Sequence, residues 1–184
     1  LKTKGYIFNS NTDTEVLLNG FSEWSTELFQ KINGMYAISI FDTKKEIIYL
    51  ARDPAGQKPL YYSFCPKKES LIFGSELKAL KCFPSFANII DHENMNKLFS
   101  QGYCNEGSSI YKSTFKVQAG TYLKYKIANS ELSSNVFWST DKLNAQGSAS
   151  NKISVLDEDY LVKKLHSLLQ DSINSHLRAD VPVG

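Results

Sequence analysis

Few residues in this chain combine the type and spacing that chemistry requires. The three histidines, His92, His166 and His176, fall in segments with helical periodicity and none has a partner motif, so each reads as a surface or interface residue. Cys65, Cys82 and Cys104 are odd in number and widely spaced, which fits neither a disulfide framework nor a paired metal or redox site. A reducing cytoplasm is the compartment this composition suggests. No HExxH, GxSxG, Walker loop or paired-cysteine zinc spacing occurs, so no metal site and no catalytic residue is expected from local motifs. The acids are more informative. Thr12-Asp13-Thr14-Glu15 precedes the apolar Val16-Leu17-Leu18, and a Thr followed three residues later by Glu is the capping-box pattern, with Asp13 as an acid favoured by the helix dipole. Arg52-Asp53 before Pro54 and Gly56 reads as a pair that pins a turn between strands. Glu76 reads as a dipole-compensating acid in the first turn of a short helix.

The elements that position these residues follow from periodicity and punctuation. A helix should begin at about Asp13 and stop at Asn19-Gly20, and a second should run from Glu23 to Lys31, where Trp24, Leu28, Phe29 and Ile32 recur at helical spacing. Short strands are expected at Met35–Phe41, Glu46–Ala51, Leu60–Phe64 and Leu71–Gly74, with hairpin turns at Asp42–Lys45 and Pro66–Glu69. Ser75 should cap a helix to Lys81, and Asp91–Gln101 should form another. Two further strands flank Gln118-Ala119-Gly120, and Val136-Phe137-Trp138 reads as one more. From Ser139 to Ser154 the chain is mostly Ser, Asn, Lys, Asp and Gly, a linker composition. Asp157 then caps a helix to Arg178, whose Leu161, Val162, Leu165, Leu168, Leu169, Ile173 and Leu177 make one apolar stripe that requires a partner surface. The organisation is therefore a first domain over 1–138, a linker over 139–156 and the start of a second domain over 157–184.

Composition excludes other classes. The 184 residues are 42% hydrophobic and 22% charged, as in a folded globular protein rather than a disordered one. Twenty-one Lys and Arg against 19 Asp and Glu leave a formal charge of +2 with no basic run, so a nucleic-acid partner is not expected. No apolar stretch approaches the ~20 residues of a membrane span, since Ser39 interrupts even the run Met35–Phe41, and no membrane partner is expected. Leu1-Lys2-Thr3-Lys4-Gly5 has neither a methionine nor a following apolar run, so the expectation is a chain cut from something longer.

A resemblance goes further than composition. Asn33-Gly34-Met35-Tyr36-Ala37-Ile38-Ser39-Ile40-Phe41-Asp42 resembles the NGMFAFAIxD strand of class II glutamine amidotransferases. Arg52–Tyr62 is similar to that family's RDxxGxKPLYY, and Phe73–Leu80 to its FxSExKAL. Gly102-Tyr103, Ser109–Lys112, Gly120–Leu123 and Leu177–Gly184 are similar to the glutamine-hydrolysing asparagine synthetases within it.

The resemblance implies a two-domain enzyme. An N-terminal glutaminase of the Ntn-hydrolase type releases ammonia, and a C-terminal domain uses ATP and Mg2+ to activate a carboxylate that the ammonia attacks. Glutamine and aspartate are the implied substrates, with another carboxylate such as a sugar or peptide acid as the alternative, and a homodimer as an implied assembly. The implied fold is α+β, with stacked antiparallel sheets and flanking helices, lacking N-terminal strands and followed by a helix entering the second domain. The family's N-terminal Cys nucleophile, Arg-His-Arg-Gly-Pro loop and Asn-Gly-Glu segment have no match here, and Gly184 stops before its SGGxDSS nucleotide loop. The expectation is thus no catalytic residue, no bound cofactor, no activity of this stretch alone, and weak stability or self-association. A non-catalytic interaction module of the same fold is a further reading. One substrate-binding residue carries over: Asp13 matches the Asp of the family's Ser-Asp-Thr/Cys-Glu motif, which binds the α-ammonium of glutamine. Glu76, near the fold interior in the resemblance, is given no chemistry.

Overall fold

The computed structural model describes residues 1–65, 70–141 and 158–177. By internal contacts the chain divides into two compact units, Leu1–Trp138 and Ser139–Gly184. In the first unit, β1 (Ala37–Asp42), β2 (Ile47–Arg52), β6 (Thr121–Lys126) and β7 (Glu131–Val136) form one antiparallel sheet in the order β1-β2-β6-β7. A second sheet, also antiparallel, has the order β4-β3-β5, from β3 (Tyr61–Phe64), β4 (Leu71–Gly74) and β5 (Thr114–Lys116). The helices of this unit are α1 (Asp13–Trp24), α2 (Leu28–Lys31), α3 (Leu77–Lys81) and α4 (His92–Gln101). This is an α+β fold of antiparallel sheets with flanking helices.

Alternation along the strands builds two cores. Ile38 and Ile40 face the same way as their cross-strand partners Ala51 and Tyr49, and these pack with Phe29 of α2 and with Leu17 and Phe21 of α1. The opposite face of β2 presents Leu50, whose cross-strand partner is Leu123, and this pair packs with Leu60, Val117 and Tyr62 from the second sheet. Strand β2 is therefore covered on both faces, which explains its nearly continuous apolar sequence.

Several boundaries differ from those the sequence suggests. Helix α1 does not stop at Asn19-Gly20 but continues to Trp24. Gly20 is a packing glycine, since a Cβ there would lie 2.7 Å from Leu28 Cδ1. The break comes at Ser25, whose φ of 50° ends the helix, and a short 3-10 turn over Ser25–Glu27 leads into α2 in place of a helix from Glu23. Helix α3 begins at Leu77 after Glu76, so Ser75 is not its cap. Asp91 does cap α4, accepting the N–H groups of Glu93 and Asn94 at 3.1 Å each.

The strands on either side of Gln118–Gly120 are β5 and β6, and they pair in different sheets. The strand expected at Val136–Trp138 lies earlier, at Glu131–Val136, where a Ser-rich sequence occupies the sheet edge. The turn at 66–69 lies outside the described residues, although Cys65 N–H donates to Ser70 O across its base at 3.0 Å.

In the second unit, α5 spans Glu158–His176 and buries none of its residues among those described. Leu165, Leu169 and Ile173 are exposed along its stripe. Most of the linker, the cap at Asp157 and the segment 178–184 lie outside the described residues. No described helix is long and apolar enough to cross a membrane.

Candidate functional site

Asp13 is the first residue of α1 and is exposed, following Thr12 in extended conformation at the N-cap. Among the described residues its carboxylate has one hydrogen-bond partner, the neighbouring Thr14 hydroxyl at 3.5 Å, which is a marginal hydrogen bond. The expected capping box is not formed. Thr12 makes no side-chain cap bond, and its own N–H donates to Ser10 Oγ at 3.4 Å.

Glu15 reaches further back than Thr12. It accepts the N–H groups of Asn9 at 2.8 Å and Ser10 at 2.7 Å, and the Ser10 hydroxyl at 2.6 Å. The Ser10 hydroxyl bond, followed by the Asn9 N–H, holds the Glu15 carboxyl below the usual carboxylate range. Nothing in the local sequence announces this, because the Thr-x-x-Glu spacing points to Thr12 instead. Asp13 is left as a negative group at the positive end of a 12-residue helix, with its oxygens open to a ligand.

The Arg52-Asp53 pair has the opposite character. Asp53 is fully buried, and its carboxylate accepts three backbone N–H groups: Ala55 at 3.1 Å, Gln57 at 2.9 Å and Lys58 at 3.0 Å. Its carbonyl takes the N–H of Gly56 and of Gly120, both at 3.0 Å. Arg52 donates to the carbonyls of Lys58 at 2.9 Å, Val117 at 2.9 Å and Gly56, with Glu106 at 3.8 Å as its counter-ion. Gly56 adopts a φ of +64°, and a Cβ on it would come within 2.8 Å of Arg52 Nη2. The pair pins the Pro54–Lys58 turn and ties β2 to the segment after β5, as the structural reading expects. Glu106, which also accepts Ala119 N–H at 2.8 Å, completes this arrangement and has no motif that signals it.

No hydrogen bond or ion pair among the described residues links Glu76 or His92 to Asp13. Glu76 is exposed and pairs with Lys78 at 2.6 Å. His92 opens α4, while His166 and His176 lie on α5, where the His176 ring meets Ser172 O at 2.7 Å. Cys65 is buried, its thiol raised by burial, and Cys82 and Cys104 are free thiols. No group of three His, Cys, Asp or Glu among the described residues could hold a metal. A shallow pocket of about 390 Å³, lined by Thr26, Glu27, Gln30, Tyr122 and residues 134–137, opens beside edge strand β7 and does not include Asp13.

Comparison with known proteins gives the arrangement its context. The chain is 33% identical over all of its 184 residues to the Bacillus subtilis protein named asparagine synthetase [glutamine-hydrolyzing] 1, of which it covers 27%. It is 32% identical, over 95% of its length, to a putative asparagine synthetase [glutamine-hydrolyzing] 2 of Methanocaldococcus jannaschii, of which it covers 32%. A more distant relative, 22% identical over 97% of the chain, is the Gibberella zeae protein named Amidase chry2, of which it covers 25%. The chain thus spans only about a quarter to a third of the length of these relatives. Residues 1–138, the stretch holding both sheets, Asp13 and the Arg52-Asp53 turn, match the family described as glutamine amidotransferase domain, and the chain belongs to that family.

Proposed function

We propose that this chain carries the glutamine-ammonium clamp of an enzyme that hydrolyses glutamine and passes the ammonia to an ATP-activated carboxylate, with aspartate as acceptor and asparagine as product. The observation that carries this reading is Asp13: an exposed carboxylate at a helix start, in the family's motif position, whose local structural work is done by Glu15 instead. A substrate ammonium would meet it through charge-assisted hydrogen bonds, which contribute about 1.5–3 kcal/mol net when sheltered from water. Clamping the α-ammonium orients the side-chain amide of glutamine toward a nucleophile, an entropic contribution to the reaction. Cys65, Cys82 and Cys104 are internal, so none has the α-amino group that serves as base in this family. Residues 1–184 on their own are accordingly assigned no hydrolytic step.

Under this reading the stacked sheets are of the Ntn-hydrolase type. Residues 1–138 are the glutaminase domain, 139–156 the linker and 157–184 the opening of the ATP-dependent domain, in a cytoplasmic protein able to form a homodimer. ATP and Mg2+ enter this reading as cofactors of the full-length parent, and no step here runs through them. A relative named an amidase rather than an asparagine synthetase leaves room for a second reading, a related amidotransferase acting on another carboxylate such as a sugar or peptide acid.

The test uses the full-length parent. Asp13→Asn should lower kcat/KM for glutamine by at least ~10-fold, which is ~1.4 kcal/mol, while synthesis from free ammonia stays nearly unchanged. Equal loss of both activities would instead make Asp13 a folding residue. Product analysis with aspartate against other carboxylates decides the acceptor.

A further inference from the structure

We propose that Glu15 is a positioning residue of the glutamine site: by holding Asn9 and Ser10 against the first turn of α1, it sets the approach to Asp13 and leaves that carboxylate open. The proposal rests on the reading of Asp13 as the ammonium clamp. It is carried by the geometry of three hydrogen bonds, all from the segment immediately before the helix. One Glu15 oxygen accepts Asn9 N–H at 2.8 Å, and the other accepts Ser10 N–H at 2.7 Å and Ser10 Oγ–H at 2.6 Å. The held hydroxyl is in turn 2.9 Å from Thr12 Oγ1 and accepts Thr12 N–H at 3.4 Å. Glu15, Ser10 and Thr12 are linked in a run of hydrogen bonds that does not include the Asp13 carboxylate.

Magnitude separates positioning from stabilisation. Residues 9–14 are all exposed. Side-chain hydrogen bonds to backbone at a helix start contribute ~0.5–2 kcal/mol to folding, a loss that would act on both nitrogen sources alike. Positional control is more sensitive, since a displacement of ~1 Å at a substrate-orienting group can cost on the order of 100-fold in rate. An ordinary capping box would satisfy the N-cap N–H. This carboxylate instead fixes the chain two and three residues upstream of the N-cap, which is the portion that determines what can approach Asp13 from outside the helix.

The experiment is steady-state kinetics on the full-length parent, with glutamine or ammonia as nitrogen source. Glu15→Ala should raise KM for glutamine on the order of 10-fold with a much smaller change in kcat, and leave ammonia-dependent synthesis near its original value, with at most a small fall in melting temperature. Glu15→Gln retains one acceptor oxygen but turns an N–H group toward a backbone donor, so its KM should fall between the two. Asp13→Asn/Glu15→Ala should be no worse than Asp13→Asn alone, because positioning has no effect once the positioned group is gone. An unchanged KM in Glu15→Ala, strict additivity in the double variant, or equal loss of both nitrogen sources would each overturn the proposal while Asp13→Asn still reports on the clamp. If Asp13→Asn itself left glutamine use unaltered, the clamp reading would fail and take this proposal with it.

Discussion

Two acidic sites in this chain sit at turns, about forty residues apart in sequence, and differ in whether their oxygens are occupied. Asp53 is fully buried and saturated by three backbone N–H groups, beside an Arg52 that is itself only 5% exposed and bonded to three carbonyls. Asp13 is exposed and has only a marginal contact with Thr14. A buried carboxylate must have hydrogen-bond partners from the fold, and one fully out of reach of solvent is not presented to a ligand. The contrast teaches that acceptors occupied by backbone mark structure and that open ones are available to a ligand, even when both residues lie in motifs of the same resemblance.

The comparison breaks most visibly at the buried site. Asp53→Ala leaves the N–H groups of Ala55, Gln57 and Lys58 without an acceptor, and at about 1–3 kcal/mol for each unsatisfied donor should cost about 3–5 kcal/mol in urea unfolding. A loss as small as that of a surface variant would show that the turn forms without its carboxylate. Arg52→Lys is next. An ammonium can follow only part of a guanidinium fork that reaches three carbonyls, and a loss of about 2–3 kcal/mol is expected by the same measurement.

Tyr36 sharpens the buried side through pH. Its phenol donates to Phe29 O at 3.0 Å, and burial, with the charge of Asp53, raises it well above the usual tyrosine range. An unfolded tyrosine ionises near pH 10, so this contribution is intact below pH ~10 and is lost as pH rises from there toward the folded value. Tyr36→Phe should cost about 1 kcal/mol at neutral pH and weaken the alkaline fall of the unfolding midpoint. The smallest effect belongs to Asp13. Asp13→Asn should change stability by less than about 0.5 kcal/mol while acting on glutamine use, and a larger loss would place it with the structural acids.

Much of the framework was legible because short-range physics sets it. β4 was expected at Leu71–Gly74 and lies there, and the hairpin at 42–45 joins β1 and β2 as its turn residues indicate. Asp91 and Ser75 show the limit of that reading. Both are good cap residues followed by an apolar-rich segment, yet only Asp91 caps its helix, because Gly74 and Ser75 are drawn toward the end of β4 and the helix begins two residues later. Gly20 was misread for a related reason. A glycine can signal a stop or a close contact, and only the position of Leu28 shows which. The Ser-rich β7 was placed too late because an edge strand exposed on most of its positions needs little apolar alternation, and its partner β6 supplies the register.

What the sequence determined by itself was most of the elements and the ordered motifs, with Asp13 entering as candidate clamp through the family resemblance those motifs carry. These depend on spacing along the chain and on local backbone preferences. The tertiary structure decided which strands share a sheet, how β5 and β6 come to lie in different layers, and which acid is occupied. A hydrogen bond from Arg52 to the Val117 carbonyl, or from the turn at Asn9 and Ser10 to Glu15, depends on where distant or folded-back backbone groups come to rest. Burial and occupancy are properties of three-dimensional neighbourhoods, and they are what separate the structural carboxylate from the one left free to bind.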